Sequence, residues 1–190
     1  MINTLSFYDF DGTLMDTPMP DSGREIWKEK TGEEYPHVGW WGRAESLNPD
    51  VFEINPFPSV LNQLRSDTAK SDTYTVMLTS RMEKLKPQVE ILLNNHDIVF
   101  DDLSLKKGND GEKDDRIKQY LQRFPDVHTI NVYDDRDKEM KVFSNMKTDI
   151  GDQYQINVYR VTNGSYALVE SINQIDKIIF EEISKLFKNW

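Results

Sequence analysis

Two aspartates separated by one residue close the first apolar stretch of this 190-residue chain. Asp9 and Asp11 follow a run that begins near Leu5, and side chains two positions apart on a strand point to the same face. Gly12 then permits a sharp turn or the close approach of a ligand, and Thr13 adds a hydroxyl. A carboxylate nucleophile with a second carboxyl for acid–base work suits metal-assisted phosphoryl transfer through an aspartyl-phosphate.

The same pattern has two interpretations that involve no catalysis. Asp-Gly is a common pair in tight hairpin turns, and Asp-x-Asp-Gly also resembles the start of a calcium-binding loop. The calcium loop does not fit, because Gly12 comes too early and no glutamate follows at the required spacing. The choice between a turn and a catalytic site therefore depends on the rest of the chain.

The composition limits the chemistry available. The 23 basic and 33 acidic side chains give a formal charge of −10, which argues against a broad basic face for duplex nucleic acid but leaves room for a local basic pocket. The absence of cysteine rules out disulfides, thiolate metal sites and cysteine nucleophiles. With only three scattered histidines, any metal should be hard and bound by oxygen, which indicates Mg²⁺.

The hydropathy pattern favours an intracellular protein. No apolar stretch approaches the ~20 residues needed to cross a membrane, and the first residues lack the basic segment and apolar core of a signal peptide. We therefore expect a cytoplasmic protein without a membrane partner. Its length suits a single domain over residues 1–190.

Apolar runs alternate with segments of helical spacing, which predicts an α/β fold with a parallel sheet flanked by helices. The predicted strands cover residues 2–8, 73–78, 98–100, 129–133 and 155–161. The predicted helices cover residues 59–66, 84–95, 114–124 and 137–146. Sheets of this type bind ligands beyond the carboxyl ends of their strands, and Asp9 and Asp11 lie at such an end.

Two segments depart from this alternation. Residues 16–55 are rich in proline, glycine and tryptophan and are too long for an ordinary loop, so we expect a small cap-like insertion over the site after the first strand. Residues 171–190 space their isoleucine, leucine and phenylalanine side chains as in an amphipathic helix. This spacing predicts a C-terminal helix packed on the sheet.

A turn with hydroxyls and a cation follows the second predicted strand. Thr79 and Ser80 come at the strand end, where backbone amides that open a helix form a phosphate site. Arg81 can hold two phosphate oxygens in a bidentate fork. The alternative is a plain strand-to-helix turn in which the serine caps the helix.

Two adjacent acids, Asp134 and Asp135, follow the fourth predicted strand. Such a pair at the carboxyl edge of a sheet is costly unless a cation holds it, and a Mg²⁺ ion shared with Asp9 would do so. An acidic helix start is the alternative. Lys118, on the third predicted helix, could balance these carboxylates and bind phosphate, although an isolated lysine more often lies at the surface.

These four pieces, in this order and at strand ends, resemble the motifs of the haloacid dehalogenase (HAD) superfamily. The resemblance implies a Rossmann-like core and a magnesium-dependent phosphatase in which Asp9 is the nucleophile and Asp11 the general acid, then base. It implies metal binding by Asp9, the backbone carbonyl of Asp11, Asp134 and, through water, Asp135. It implies phosphoryl binding by Thr79 and Lys118.

A finer resemblance concerns RNA repair. The stretches 79–81, 113–118 and 134–136 resemble the 3′-phosphatase domain of phage polynucleotide kinase-phosphatase, in which the arginine equivalent to Arg81 is functional. Residues 39–43, with 46–47 and 16–20, resemble the HAD domain named for Swiss Army Knife RNA repair proteins. The chain departs from these relatives in two ways. It has no Walker-type Gly-x-x-x-x-Gly-Lys-Ser/Thr sequence for a 5′-kinase, and it carries 114–115 as Asp-Asp where a threonine is usual.

The resemblance implies a polynucleotide 3′-phosphatase in RNA or DNA repair, with a phosphorylated, single-stranded nucleic-acid end as its substrate. A small-molecule phosphatase such as a nucleotidase is the alternative, and the acidic net charge favours it. A non-catalytic interaction module is a third possibility, against which the presence of Asp9 argues.

The insertion supplies candidate contacts to the group attached to the phosphate. Aromatic rings there could stack on a base, or paired tryptophans could only fix the insertion to the core. The predicted substrate-binding residues are Gly12, Thr13, Ser80, Trp40, Trp41 and Arg43.

Overall fold

The computed structural model describes residues 1–150 and 153–172. Six strands form one sheet: β1 (Thr4–Tyr8), β2 (Thr73–Met82), β3 (Asp102–Lys106), β4 (Thr129–Asp134), β5 (Gln155–Thr162) and β6 (Ser165–Ile172). Their order across the sheet is β3-β2-β1-β4-β5-β6. The first five strands run parallel, and β6 pairs antiparallel with β5. The predicted parallel sheet is confirmed.

Among residues 1–150 and 153–172, five α-helices connect these strands: α1 (Pro20–Thr31), α2 (Pro58–Thr68), α3 (Lys86–Asn95), α4 (Lys113–Arg123) and α5 (Asp137–Ile150). Proline stands in the first turn of α1, α2 and α3, where its fixed φ suits the helix and its missing N–H costs nothing. Within the described part of the chain, none of the helices is long and apolar enough to cross a membrane.

The core has one layer on each face of the sheet. Apolar side chains of α2 and α3 pack on one face, and those of α4 and α5 pack on the other. Strand β1 lies between the two layers. Leu5 and Phe7 enter the layer of α4 and α5, whereas Tyr8 enters the layer of α2 and α3. Because both faces of β1 are buried, packing of the two core layers fixes the position of the residues that follow this strand.

Four tyrosines form a column across the carboxyl half of the sheet. The rings of Tyr8, Tyr133 and Tyr159 stack with 4.5 Å between neighbouring centroids, and Tyr166 meets the last two edge-on. The Tyr8 hydroxyl donates to the buried Asp67 carboxylate of α2 at 2.8 Å. The column fixes the ends of β1 and β4 against each other, directly before the candidate site aspartates of both strands.

Two strand predictions are corrected. The strand predicted at 98–100 is wrong: β3 runs from Asp102 to Lys106, at the edge of the sheet. The apolar run that drew the prediction contains Ile98, which is buried in the core before the strand begins. Strand β6 was not predicted; its apolar residues Leu168 and Val169 are exposed.

The insertion predicted at 16–55 contains α1 and a short 3₁₀ helix, Ala44–Leu47. Its two ends meet, because the Asp16 N–H donates to the Asn55 carbonyl at 2.9 Å. The helix predicted at 171–190 lies, from residue 173 onward, outside the described residues; residues 171–172 end strand β6.

Trp40 is the centre of a small core inside the insertion. Its ring is 3 % exposed, packs against Tyr35 and Phe52, and donates its indole N–H to the Pro18 carbonyl at 2.9 Å. Helix α1 meets this ring at Gly23, where an added Cβ would lie 2.2 Å from a ring carbon. Helix and tryptophan can therefore approach this closely only because residue 23 has no side chain.

We expect Gly23→Ala to lower the free energy of unfolding by about 1–3 kcal/mol through overpacking against Trp40. The effect has the opposite sign to helix propensity, which favours alanine over glycine by ~1 kcal/mol. Urea unfolding followed by circular dichroism measures it. Gly42→Ala is the matched control, since a Cβ there meets nothing within 4 Å. Equal stability of the two variants would show that Trp40 does not pack on α1.

Candidate active site

The turn after β1 brings Asp9 and Asp11 to the carboxyl edge of the sheet. The Asp9 N–H donates to the Tyr133 carbonyl at 2.9 Å, so the parallel ladder with β4 continues past the strand end. Gly12 adopts a φ of +70°, and a Cβ there would lie 2.7 Å from an Asp135 carboxylate oxygen. Glycine is thus needed for both the turn and the approach of the second acidic pair.

Three carboxylates meet at this edge. Oxygens of Asp9, Asp134 and Asp135 lie within 4.8 Å of one another. Burial raises the pKa of Asp9 to about 7; the Lys113 ammonium lowers it, and the nearby carboxylates raise it. Burial and the neighbouring Asp134 likewise raise the pKa of Asp135. The cluster holds more negative charge than a buried site tolerates without cations.

Lys113 is the cation buried among these carboxylates. Its Nζ lies 2.6 Å from Asp134 Oδ2 and 2.9 Å from Asp9 Oδ1, and the side chain is 1 % exposed. Burial alone would lower the pKa of Lys113, but the two carboxylates more than offset it and raise it. The lysine opens α4, behind a capping box between Glu112 and Asp115, so the helix start itself places it.

Lys118, which the sequence placed in the site, lies outside it. Its Nζ contacts Asp149 at 2.9 Å and Asp114 at 3.2 Å on the side of α4 and α5. Five residues correspond to about 1.4 helical turns, so Lys118 and Lys113 point in different directions. The sequence did contain information that favours Lys113. A helix that follows a parallel strand begins at the carboxyl edge of the sheet, so its first residue is nearest the site.

Arg81 is bound to Asp11. Its Nε and Nη2 donate to the two Asp11 oxygens at 2.9 and 2.7 Å, and the side chain is almost fully buried. Its Nη1 donates to the Trp41 carbonyl at 2.9 Å and to Ser46 Oγ at 2.7 Å. The guanidinium is therefore engaged mainly with the second aspartate and the insertion, whereas the sequence assigned it to the phosphate alone.

The predicted helix start after the second strand is also corrected. Strand β2 continues to Met82, so Thr79, Ser80 and Arg81 lie in the strand and offer no helix amides. Thr79 is buried at the floor of the site, where its hydroxyl accepts the Arg81 N–H at 3.1 Å. Its carbonyl accepts from the buried Arg116 at 3.0 Å, a positioning contact that the sequence did not indicate.

A cavity of about 370 Å³ opens above these residues. It is lined by Asp9, Asp11, Gly12, Thr17, Met19, Trp41, Thr79, Ser80, Arg81, Asp135 and Arg136. The floor is acidic, and the wall that the insertion supplies includes the apolar side chains of Met19 and Trp41. Arg136 was not predicted as a site residue; it donates to Ser80 Oγ at 3.1 Å and brings a cation to the cavity.

Three predicted substrate contacts lie outside the cavity wall. Trp40 is buried in the core of the insertion, Arg43 is exposed, and Thr13 is fully buried beneath the turn. Adjacent tryptophans in a loop carry no periodicity that would tell which one faces the site. The structure assigns that place to Trp41, which is 41 % exposed and packs over the Arg81 guanidinium.

Comparison with known proteins decides the family. The family described as HAD domain family 1 in Swiss Army Knife RNA repair proteins matches residues 20–182. The chain belongs to this family. It is a HAD domain, and both the predicted superfamily and its Rossmann-like fold are confirmed.

Relatives of this HAD domain include an uncharacterized protein of Saccharomyces cerevisiae, YMR265C, which is 27% identical over 168 residues. The match covers 75% of this chain but 36% of the yeast protein, so the chain spans about a third of that relative's length.

Two solved structures share the fold of the HAD domain. A haloacid dehalogenase-like hydrolase, SP0104 from Streptococcus pneumoniae, superposes with a TM-score of 0.54 at 16% identity, over 82% of this chain and 83% of the other. A chain in the structure of a Pnkp1/Rnl/Hen1 complex superposes with a TM-score of 0.51 at 16% identity, over 86% of this chain and 47% of that one.

The acidic cluster of the HAD domain fits a hard divalent cation. Carboxylate oxygens are the ligands that Mg²⁺ takes in proteins, and Asp9, Asp134 and Asp135 converge on one place. Asp135 Oδ1 is buried and has no hydrogen-bond partner among the described residues, which a bound cation would satisfy. The Asp11 carboxylate turns away from this group toward Arg81.

We expect Lys113→Met to reduce phosphatase turnover at least ~100-fold, the scale of losing one preorganised charged group. Lys118→Met is the matched control on the same helix. It removes only partly exposed ion pairs, to Asp114, Asp115 and Asp149, and should leave the rate within about twofold. Release of p-nitrophenol from p-nitrophenyl phosphate measures both, at a temperature where circular dichroism shows each variant folded. Equal losses in the two variants would contradict the assignment of Lys113.

Proposed function

We propose that this HAD phosphatase is a magnesium-dependent phosphomonoesterase that removes a phosphate from the 3′ end of a nucleic acid through an aspartyl-phosphate at Asp9. The observation that carries the proposal is the position of Asp9. It lies beside two further carboxylates and a buried ammonium, at the floor of a cavity whose wall includes an exposed tryptophan.

Each residue then has a defined task. Asp9, Asp134 and Asp135 would hold the Mg²⁺ ion, which neutralises charge on the phosphoryl group when bound. An Asp9 oxygen attacks phosphorus, and the bond from phosphorus to the leaving oxygen breaks as Asp11 donates a proton to that oxygen. Asp11 then takes a proton from water, the water oxygen attacks phosphorus, and inorganic phosphate leaves with the Asp9 carboxylate restored.

Three observations support a nucleic-acid end as the substrate. The family is one of RNA repair proteins, and one structural neighbour comes from a Pnkp1 complex. The ring of Trp41 lines the cavity, where a terminal base could stack. Arg136 brings a cation to the same cavity, which suits a second phosphate of a chain.

A small-molecule phosphatase is the second candidate. The formal charge of −10 disfavours long contacts with a polyanion. A cavity of about 370 Å³ also lies in the range of small-ligand pockets.

A phosphate-release panel tests the proposal. We expect faster turnover of a 3′-phosphorylated oligonucleotide than of a 5′-phosphorylated one or of mononucleotides, and loss of all turnover when EDTA removes the metal. Asp9→Asn should fall to background, because an amide cannot act as the nucleophile although it fills nearly the same volume. Turnover that survives chelation would refute the metal. A preference for mononucleotides would favour the second candidate.

We expect Trp41→Ala to slow turnover of the 3′-phosphorylated oligonucleotide by about 5- to 100-fold, corresponding to a stacking contribution of ~1–3 kcal/mol. Hydrolysis of p-nitrophenyl phosphate should fall less, since this ester carries no nucleobase that could stack on Trp41. Trp40→Ala is the comparison. It empties the core of the insertion, so the melting temperature should drop and both substrates should suffer. If Trp41→Ala behaves in the same way, stacking is excluded.

A further inference from the structure

The insertion is joined to Asp11 by hydrogen bonds rather than by apolar contact alone. The Arg81 guanidinium makes four of them, two to the Asp11 carboxylate and two to groups of the insertion. The insertion groups are the Trp41 carbonyl and the Ser46 hydroxyl. A planar guanidinium held on one edge fixes the plane of whatever its other edge binds. The orientation of Asp11 therefore depends on where the insertion sits.

The Ser46 hydroxyl is oriented to accept a hydrogen bond from Arg81. The side chain is fully buried on the 3₁₀ helix Ala44–Leu47, and its hydroxyl donates to the Arg43 carbonyl at 2.8 Å. A serine hydroxyl has one proton to donate, so with that proton in use its lone pairs face the arginine, 2.7 Å away. Leu47 follows in the core with no exposed surface and fixes the short helix.

Thr17, at the other end of the insertion, holds Asp11 from a second direction. Its buried hydroxyl donates to Asp11 Oδ1 at 2.9 Å, the same oxygen that accepts from Arg81 Nη2. All three of these hydrogen bonds to the Asp11 carboxylate come from the insertion or from the arginine that the insertion holds.

We propose that Ser46 and Thr17 are positioning residues for the general acid, so that docking of the insertion and alignment of Asp11 are one event. This inference rests on the proposed function, because it takes Asp11 as the group that protonates the leaving oxygen. The insertion, beyond selecting the substrate, then completes the chemistry. The core without a docked insertion holds the nucleophile but has an unaligned acid.

Leaving-group dependence separates alignment of the acid from general damage. An alkoxide leaves from phosphorus only with a proton from Asp11, whereas p-nitrophenolate is stable enough to leave with little help. A misaligned acid therefore slows formation of the aspartyl-phosphate, which kcat/KM reports, far more for an alkyl ester than for an aryl ester. Hydrolysis of that intermediate, in which Asp11 acts as base, is common to both esters and affects kcat only. A structural defect that lowers the fraction of folded enzyme slows both equally.

The test compares Ser46→Ala with wild type on glycerol 2-phosphate and on p-nitrophenyl phosphate. We expect kcat/KM for the alkyl ester to fall about 10-fold more than kcat/KM for the aryl ester, within the ~100- to 10,000-fold that general acids contribute. Thr17→Val, which keeps the shape and removes the hydroxyl, should show the same selectivity. Thr17→Ser, which retains the hydroxyl, should behave like the wild type. Ser22→Ala, an exposed serine of the same insertion, is the control and should change neither rate.

The outcomes distinguish this inference from the function on which it rests. Asp11→Asn should itself show the leaving-group selectivity. If it does, and Ser46→Ala and Thr17→Val lower both substrates equally or not at all, the positioning role is wrong and the phosphatase mechanism stands. If wild type hydrolyses neither ester, or Asp11→Asn hydrolyses both at the wild-type rate, the acid assignment and the inference fail together.

Discussion

Negative charge buried at the carboxyl edge of the sheet is the constraint on which the site depends. Asp9 and Asp134 are 4 % and 1 % exposed, and a carboxylate removed from water without a partner costs several kcal/mol in real proteins. Lys113 lies between the two and offsets part of that cost. Three carboxylates against one ammonium still leave the edge anionic, and this excess charge makes a divalent cation a natural occupant.

The same requirement explains how cations are distributed around the cavity. Arg81 neutralises Asp11, and Arg136 lies beside Asp135, raising the positive charge near the cavity. Arg116, buried behind β2, donates to the Thr79 carbonyl and fixes the floor. A chain with a formal charge of −10 thus concentrates cations at the place where a phosphate would bind. Net charge alone says little about such a pocket.

The sequence predicted the site residues that follow strands. It missed site residues whose position depends on which face of a helix, or which of two adjacent loop residues, points toward the cavity. The carboxyl ends of parallel strands meet at one edge of the sheet, which is why Asp9, Asp11 and the adjacent pair Asp134 and Asp135 were placed at the site. Helical spacing does not reveal which face meets the sheet, and Lys118 was chosen over Lys113 for that reason. The same ambiguity applies to the adjacent tryptophans of the insertion.

Prediction of the fold was also most successful for the central strands. The central strands β1, β2, β4 and β5 are rich in apolar residues and were found. The strands β3 and β6, at the two ends of the described sheet order, mix polar and apolar residues, and they were misplaced or missed. The contact of Arg81 with the insertion joins residues 35 and 40 positions apart in the chain, which no local pattern records.

The tyrosine column has a consequence for how the molecule opens. Rings stacked across β1, β4 and β5 tie these strands into one cooperative unit, and such units exchange their amide hydrogens only when the whole unit unfolds. The Asp9 amide is bonded to the Tyr133 carbonyl inside this unit, so its exchange should track global unfolding. Asp9, the proposed nucleophile, is then expected to lie in the slowest-opening part of the protein.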